Sequence, residues 1–557
     1  MPVQSAEKPT LDHLGDFTTT ARVIPIAGLA VAIGVVAAYV AAALLKLIGF
    51  FTNLFFFQRI DTALVSPAGH HLGGWVILVP VAGALIIGVM ARYGSDRIRG
   101  HGIPEAIEAI LINGSRVEPK VALLKPLSSA ISIGSGGPFG AEGPIIMTGG
   151  AFGSLVAQFF HLTSTERKTL LVAGAAAGMS ATFAAPVASV MLAVELLLFE
   201  WKPRSVIPVA LASVTAAAMR RHILGLGPIF PVPPHPIFIG IDGLLGCVVV
   251  GLLAGVLSAA LTGAVYASED AFAHLPIHWM WWPALGGLAI GVGGFFFPQA
   301  LGVGYDVIDG LLQGDLPMRI IVGVLLVKST IWAVSLGSGT SGGVLAPLLM
   351  IGGALGGLEA HFLPFEGAGF WPLVSMGAIL GGTMRSPLTG VVFALELTHD
   401  VNVMLPLLLA VTIAHGFTVL TLRRSILTEK VSRRGFHLSR EYSIDPLEII
   451  FASEVMRAPE PVGASTSDAV VAHPDEPLRL VVFRMAETGL LEMPVVDRHS
   501  RAPVGVIALT DLLAARAKIL DAEHRRERVF DMGDFMPQRR RRQHRPRRRE
   551  HPPSSPG

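Results

Sequence analysis

One carboxylate stands alone in a run of small and apolar residues: Glu142, inside Gly134–Pro144 (G-S-G-G-P-F-G-A-E-G-P). The stretch after it, I-I-M-T-G-G-A-F-G-S-L, reads as a helix packed closely through its glycines. A glycine-rich turn opening such a helix presents free backbone N–H groups and the positive end of the helix dipole, which together attract anions. An ionised glutamate in the same place competes with any anion that arrives, and an ionisable group among membrane-length apolar segments is a functional suspect. Its simpler reading is an N-terminal cap, stabilising by about 0.3–1 kcal/mol.

Shifting the sequence by 203 residues brings the stretch back. Lys125 falls on Lys328, Ser132 on Ser335, Gly140 on Gly343, Pro144 on Pro347 and Met147 on Met350, with 14 identities over the 31 ungapped positions from Lys125 to Leu155. A second echo, at an offset of 201, sets Pro186–Glu195 (P-V-A-S-V-M-L-A-V-E) against Pro387–Glu396 (P-L-T-G-V-V-F-A-L-E). The chain therefore carries a long internal duplication. The partner of Glu142 is Leu345. The scaffold does not require a carboxylate at that point, so the one that is present has a local task.

The elements that position these residues belong to a membrane. Of 557 residues 15% are charged, against about 25% in an average soluble domain, and the mean hydropathy is +0.59. Cys247, the single cysteine, excludes an internal disulfide and reads as a small buried apolar residue. No cleavable signal peptide is apparent, since residues 1–22 are largely polar and the apolar run that follows is too long for one. That run, 23–57, exceeds a straight span and is expected to tilt or break. Trp75–Tyr93 is a second span, followed by a basic turn with Arg92, Arg97 and Arg99. Further apolar stretches fall at roughly 119–133, 142–160, 169–200, 205–222, 237–266, 280–302, 319–337, 343–363, 370–384, 387–399 and 402–422. Many are short or interrupted by glycine and proline. Broken segments at matching places in two halves, about 75–222 and 280–430, point to a binding site near the membrane midplane. Such breaks must line a cavity or be buried in protein.

After Leu422 the basic run R-R-S-I-L-T-E-K-V-S-R-R-G places that end in the cytoplasm. A soluble domain is expected over 446–530, with a helix at Pro477–Thr488, strands at Met493–Val496 and Val504–Ile507, and a helix at Thr510–Lys518. The arginine-rich residues 531–557 read as a disordered tail. No nucleic-acid partner is expected, because no RNA-binding motif accompanies it; anionic lipid is the favoured contact.

Three ordered motifs, G-H-G-I-P (Gly100–Pro104), G-A-E-G-P (Gly140–Pro144) and G-G-V-L-A-P (Gly342–Pro347), resemble the CLC family of chloride channels and proton/chloride exchangers. The proline-to-glutamate echoes and S-I-L after Arg424 extend the resemblance over roughly residues 20–435. It implies an all-α polytopic fold of two inverted-topology repeats of tilted and broken helices, over 23–435, in the plasma (inner) membrane. It also implies a homodimer with one chloride pathway per subunit and Glu142 as gate. The anion would be held by helix N-termini: His101, Gly102 and Ile103 from the first motif, Ala141 and Gly143 beside the gate, and Gly343, Val344, Leu345 and Ala346 from the third. The residues alone agree, because an ion stripped of water needs dipoles that hold it without trapping it. No metal and no resident cofactor are expected in this part, and no P-loop, nucleophile elbow or metal-ligand cluster supports an enzyme.

Departures from the family pattern sharpen the reading. His101 stands where serine is common; it either donates to the anion or is satisfied by backbone. Arg424 stands where many members have tyrosine, either as a ligand at the inner mouth or as an interfacial arginine reaching for the cytoplasm. Leu196 occupies the position at which bacterial-type exchangers carry a second glutamate that passes protons inward. Leucine cannot titrate, which favours a gated chloride channel; the alternative is a proton-coupled exchanger with another proton route. Glu195 and Glu396 read as buried structural carboxylates, and Lys125 and Lys328 as helix-end partners of carbonyls. Residues His473–Asp497 and Gly505–Leu513 resemble a CBS domain, the adenosine-nucleotide-binding module, in truncated α/β form. Asp511 matches the ribose-contacting aspartate, but Ala508 stands where serine or threonine is usual, so a structural or dimer-stabilising cap is expected ahead of adenine-nucleotide binding.

Overall fold

The computed structural model describes residues 19–225, 227–435, 447, 450–458 and 470–524. The tail expected at 531–557 and most of the polar N-terminal segment lie outside the described residues. The chain divides into two compact units, Met1–Arg440 and Glu441–Gly557.

In the first unit the duplication runs helix by helix. The first set is α1 (Val23–Phe57), α2 (Leu78–Tyr93), α3 (Ile103–Leu111), α4 (Pro119–Gly134), α5 (Glu142–Gln158), α6 (Ser164–Phe183), α7 (Pro186–Leu198) and α8 (Pro203–Ile223). It is answered in order by α9 (Ile241–Ala273), α10 (Trp282–Phe296), α11 (Tyr305–Gln313) and α12 (Met318–Gly337). The series continues with α13 (Leu345–Glu359), α14 (Phe370–Met384), α15 (Pro387–Thr398) and α16 (Met404–Thr421). A further helix, α17 (Ile426–Arg433), follows. The repeat is longer than the sequence echoes, since it takes in α1 and α9 and the short pair α3 and α11.

Two of the apolar stretches take definite form. The run 23–57 is one unbroken helix of 35 residues; at ~1.5 Å per residue it is about 52 Å long, well beyond a ~30 Å hydrocarbon core. The apolar stretch 169–200 is two helices: Ala184, with φ +55°, ends α6, and Pro186 opens α7 at the position where its missing N–H costs nothing. The α5–α6 pair closes on small residues. Between α5 and α6, a Cβ on Gly149 would lie 2.3 Å from the Gly174 carbonyl oxygen, so the two backbones touch as small-residue membrane packing allows.

The halves are stitched together by exchanged carboxylates. Glu396, on α15, accepts the amides of Val187 (2.9 Å) and Ala188 (2.7 Å) at the start of α7. Glu195, on α7, accepts those of Leu388 (3.1 Å) and Thr389 (2.9 Å) at the start of α15. Each relieves the donors its partner helix leaves open.

The second unit holds an antiparallel pair, β1 (Glu492–Val496) and β2 (Pro503–Ala508), with Met493 opposite Ile507. Helices α18 (Leu478–Thr488) and α19 (Leu509–His524) flank it over a small core that includes Val481, Met493, Val495 and Ile507. Within this unit one Asp511 carboxylate oxygen accepts both the Ala508 amide and the Arg457 Nε, each at 2.8 Å.

Candidate anion site

The three glycine-rich breaks meet. The Gly140 and Gly343 amides each donate to the other's carbonyl, at 3.3 and 2.9 Å, and Gly342 N–H donates to the Gly100 carbonyl at 3.4 Å. Each break is thus a one-residue bridge to another. Gly143 shows how little room remains: a Cβ there would sit 1.9 Å from the His101 carbonyl oxygen and 3.1 Å from the Gly343 Cα. Glycine is needed at the crossing because backbone packs on backbone. The amino ends of α3, α5 and α13 consequently converge, and α5 and α13 depart from the crossing as members of opposite repeats.

Glu142 opens α5 and is fully buried. Its Oε1 accepts the Ala346 amide at 2.8 Å, in the first turn of α13, while among the described residues Oε2 has no hydrogen-bond partner. The carboxylate therefore occupies the amide seat that an anion would take, and holds it by one oxygen only. Among the other expected ligands Ile103, Ala141, Val344, Leu345 and Ala346 are fully buried at the convergence. Gly102 caps α3 with φ +91°, and its amide donates to Glu105 Oε2 at 2.7 Å, so a carboxylate on the same helix already uses that donor. His101 is 3% exposed, and among the described residues its Nδ1 has no hydrogen-bond partner. Arg424 is placed differently: its side chain is 42% exposed and pairs with Glu429 at 3.3 Å. Leu196 is fully buried in the last turns of α7.

Two lysines shape the breaks from beneath. Lys125 Nζ donates to the carbonyls of Ile98 and Gly100, both at 2.8 Å, and to Ser341 Oγ at 3.2 Å. Lys328 Nζ donates to those of Ala300 (3.0 Å) and Gly302 (2.6 Å). Both ammonium groups are fully buried, and each anchors the glycine loop ahead of a short helix, α3 in one half and α11 in the other. Sequence reasoning did not anticipate Glu105, Lys430 and Tyr266. Lys430 pairs with Glu105 at 3.1 Å, and the Tyr266 hydroxyl donates to the Ile426 carbonyl at 2.5 Å, fixing the start of α17. The signal was present in K-V-S-R-R-G after S-I-L, whose basic residues face back into the protein as well as outward.

Residues 82–419 match the profile of the voltage gated chloride channel family, and residues 461–518 that of the CBS domain. The putative chloride channel protein ClcB-like of Ralstonia nicotianae is 33% identical over 362 residues, covering 63% of this chain and 84% of the relative. The H(+)/Cl(-) exchange transporter ClcA of Vibrio vulnificus is 29% identical over 366 residues, covering 62% and 77%. Among solved structures, a slow cyanobacterial Cl-/H+ antiporter superposes with a TM-score of 0.65 at 22% identity, over 75% of this chain and 99% of that one. A CLC-type fluoride/proton antiporter superposes with a TM-score of 0.60 at 20% identity, over 74% and 98%. At those identities the structural likeness speaks for the fold.

Proposed function

The chain belongs to the voltage gated chloride channel (CLC) family, and from that premise we propose that it is a proton-coupled chloride exchanger in which Glu142 is the moving part. The observation that carries this is the bond between Glu142 Oε1 and the Ala346 amide, with Oε2 unpartnered among the described residues. Ionised, Glu142 fills the anion's seat at the head of α13. Protonated, it loses the charge that holds it to the amide, and chloride takes its place against the backbone dipoles. The exchange of one for the other couples a proton to an anion without any covalent step. Relatives named as H(+)/Cl(-) exchange transporters support coupling.

A second reading, passive gated conduction, is favoured by one observation: Leu196 is buried and cannot carry a proton inward. In liposomes, an imposed chloride gradient that drives protons uphill supports exchange, and chloride moving with no proton flux supports the channel. Glu142→Gln is expected to abolish the pH response of either; an unchanged response would sink the gate. We further propose a homodimer with one pathway per subunit, in the plasma (inner) membrane, with the C-terminal unit cytoplasmic and lipid around the rest. Crosslinking in native membranes tests the dimer. Adenine-nucleotide binding by the CBS unit has less support, because Asp511 already serves Arg457 and Ala508; calorimetry with ATP tests it.

A further inference from the structure

The segment that joins the repeats, between α8 and α9, carries P-V-P-P-H-P at Pro231–Pro236. Proline has no N–H, so this stretch has backbone donors at Val232 and His235 alone, and His235 is its one side chain able to hydrogen-bond. The fold uses both ends of that ring. His235 Nδ1 lies 2.5 Å from Asp400 Oδ2, between α15 and α16, and Nε2 lies 2.9 Å from the Ala368 carbonyl oxygen, just ahead of α14. The His235 and Asp400 side chains are only 1% and 3% exposed, and the ring meets Phe370 edge-on at 5.5 Å. Among the described residues Asp400 is the charged group paired with the ring. Glu366 turns its carboxylate to Gly243 on α9 instead, and His399 and Asp242 are exposed.

Both neighbours of the ring are acceptors. A carbonyl oxygen cannot donate, so Nε2 carries a proton. Asp400 accepts throughout: Oδ2 also takes the His235 amide at 3.2 Å, and Oδ1 takes that of Asn402 at 3.1 Å. A carboxyl proton would have to displace one of these donors, so Nδ1 carries a proton as well. A neutral imidazole has one N–H and one lone pair and cannot make both bonds. We infer that His235 is a buried imidazolium acting as a two-proton clip, which fastens the inter-repeat linker to two loops and releases the Ala368 loop when it gives up one proton. The charge-assisted bond to Asp400 keeps the proton that remains, and the bare Nε2 then opposes the Ala368 carbonyl lone pair to lone pair. That loop can yield, because Gly367 and Gly369 on either side of Ala368 have φ of +118° and +74°. It is seated on the end of α11, where a side chain on Gly369 would run into the Leu312 carbonyl. The linker is tied to the same end, since Gln313 donates to the Pro231 carbonyl at 2.7 Å. The clip therefore sets how firmly the linker and the Ala368 loop close over the end of α11, and pH sets the clip.

Full-length protein in detergent, with isotope-labelled histidine rings, is compared with His235→Gln, which cannot titrate, and with Asp400→Asn, which removes the counter-charge and keeps the shape. At about pH 6 the ring signals absent from His235→Gln should show both nitrogens protonated; a bare nitrogen there would overturn the assignment. Amide exchange over residues 364–370, corrected for its chemical rate, should speed up about tenfold or more in wild type between about pH 6 and about pH 9. In His235→Gln it should be fast at both, and in Asp400→Asn already fast at the lower. Equal protection at the two pH values in wild type, or a wild-type pH response surviving in His235→Gln, would defeat the switch. Should His235→Gln fail to fold, the wild-type exchange and Asp400→Asn decide alone. Chloride flux enters none of these readouts, so protein that moves no chloride yet shows them would defeat the transport reading and keep the clip.

Discussion

Glu142 and the pair Glu195 and Glu396 do one chemical thing in two settings. Each is a carboxylate that reaches from its own repeat to the opening turn of a helix in the other. Glu195 and Glu396 do so reciprocally, each with both oxygens bound to amides. Glu142 does so without a counterpart, because Leu345 stands at the mirror position, and with one oxygen left over. The difference separates scaffold from working part. A cap that is matched by symmetry and bound through both oxygens has little to gain by moving. A cap that is unmatched and half satisfied can be exchanged for an ion at little cost.

Removing the unmatched carboxylate should have the largest effect on transport and the smallest on stability. In Glu142→Ala, proton-linked chloride movement is expected to fall at least about tenfold, and residual flux to lose its rise with acid, because there is no longer a charge for protons to neutralise. Liposome flux at two external pH values checks this, and a melting temperature near wild type completes the contrast. The matched pair should behave in the opposite way. Glu195→Leu and Glu396→Leu each remove two charge-assisted amide bonds, worth about 2 kcal/mol after allowance for partial exposure, and Glu195→Leu also removes the bond from Thr389 Oγ1 (2.6 Å), so its loss should be the larger. Thermal unfolding in detergent measures them, while flux per folded molecule stays near normal. A loss confined to one of the two variants would mean that the reciprocity is not energetic.

The lysines give the finest test, since each anchors two loop carbonyls, with Ser341 as a third acceptor for Lys125 alone, and they are unequal in place. Lys125→Met and Lys328→Met should destabilise to a similar extent. Only Lys125→Met should also raise the half-saturating chloride concentration, by about threefold, because Lys125 alone holds the loop that carries His101 and lends its charge to that side of the site. Chloride-dependent flux in the two variants decides the point.

Much of this was legible in the chain. The motifs at Gly100, Gly140 and Gly342, the unmatched Glu142 and the echoing glutamates all declare themselves as residue types at fixed offsets. The matching strands and helices of the C-terminal unit lie within a residue or two of expectation at most ends. What escaped were contacts that no spacing encodes. The short helices α3 and α11 are too brief and too amphipathic to register as apolar stretches, so the equivalence of Gly100–Gly102 and Gly302–Gly304 in the two repeats goes unseen. Arg424 draws attention by replacing a tyrosine, yet it turns outward to Glu429. Arg99 sits in an ordinary basic turn, and only the fold brings Trp279 beneath it. The break at Ala184 was hidden because alanine in a left-handed conformation carries no composition signal.

The exchanged caps have a consequence for biosynthesis. The bond from Val187 to Glu396 joins residues 209 positions apart. At ~5–20 residues per second a ribosome needs roughly 10–40 s to make that much chain. Throughout that interval the head of α7 waits in the membrane with its amides unanswered, so the first repeat must be sheltered by water or by the insertion machinery until the second one emerges to close it.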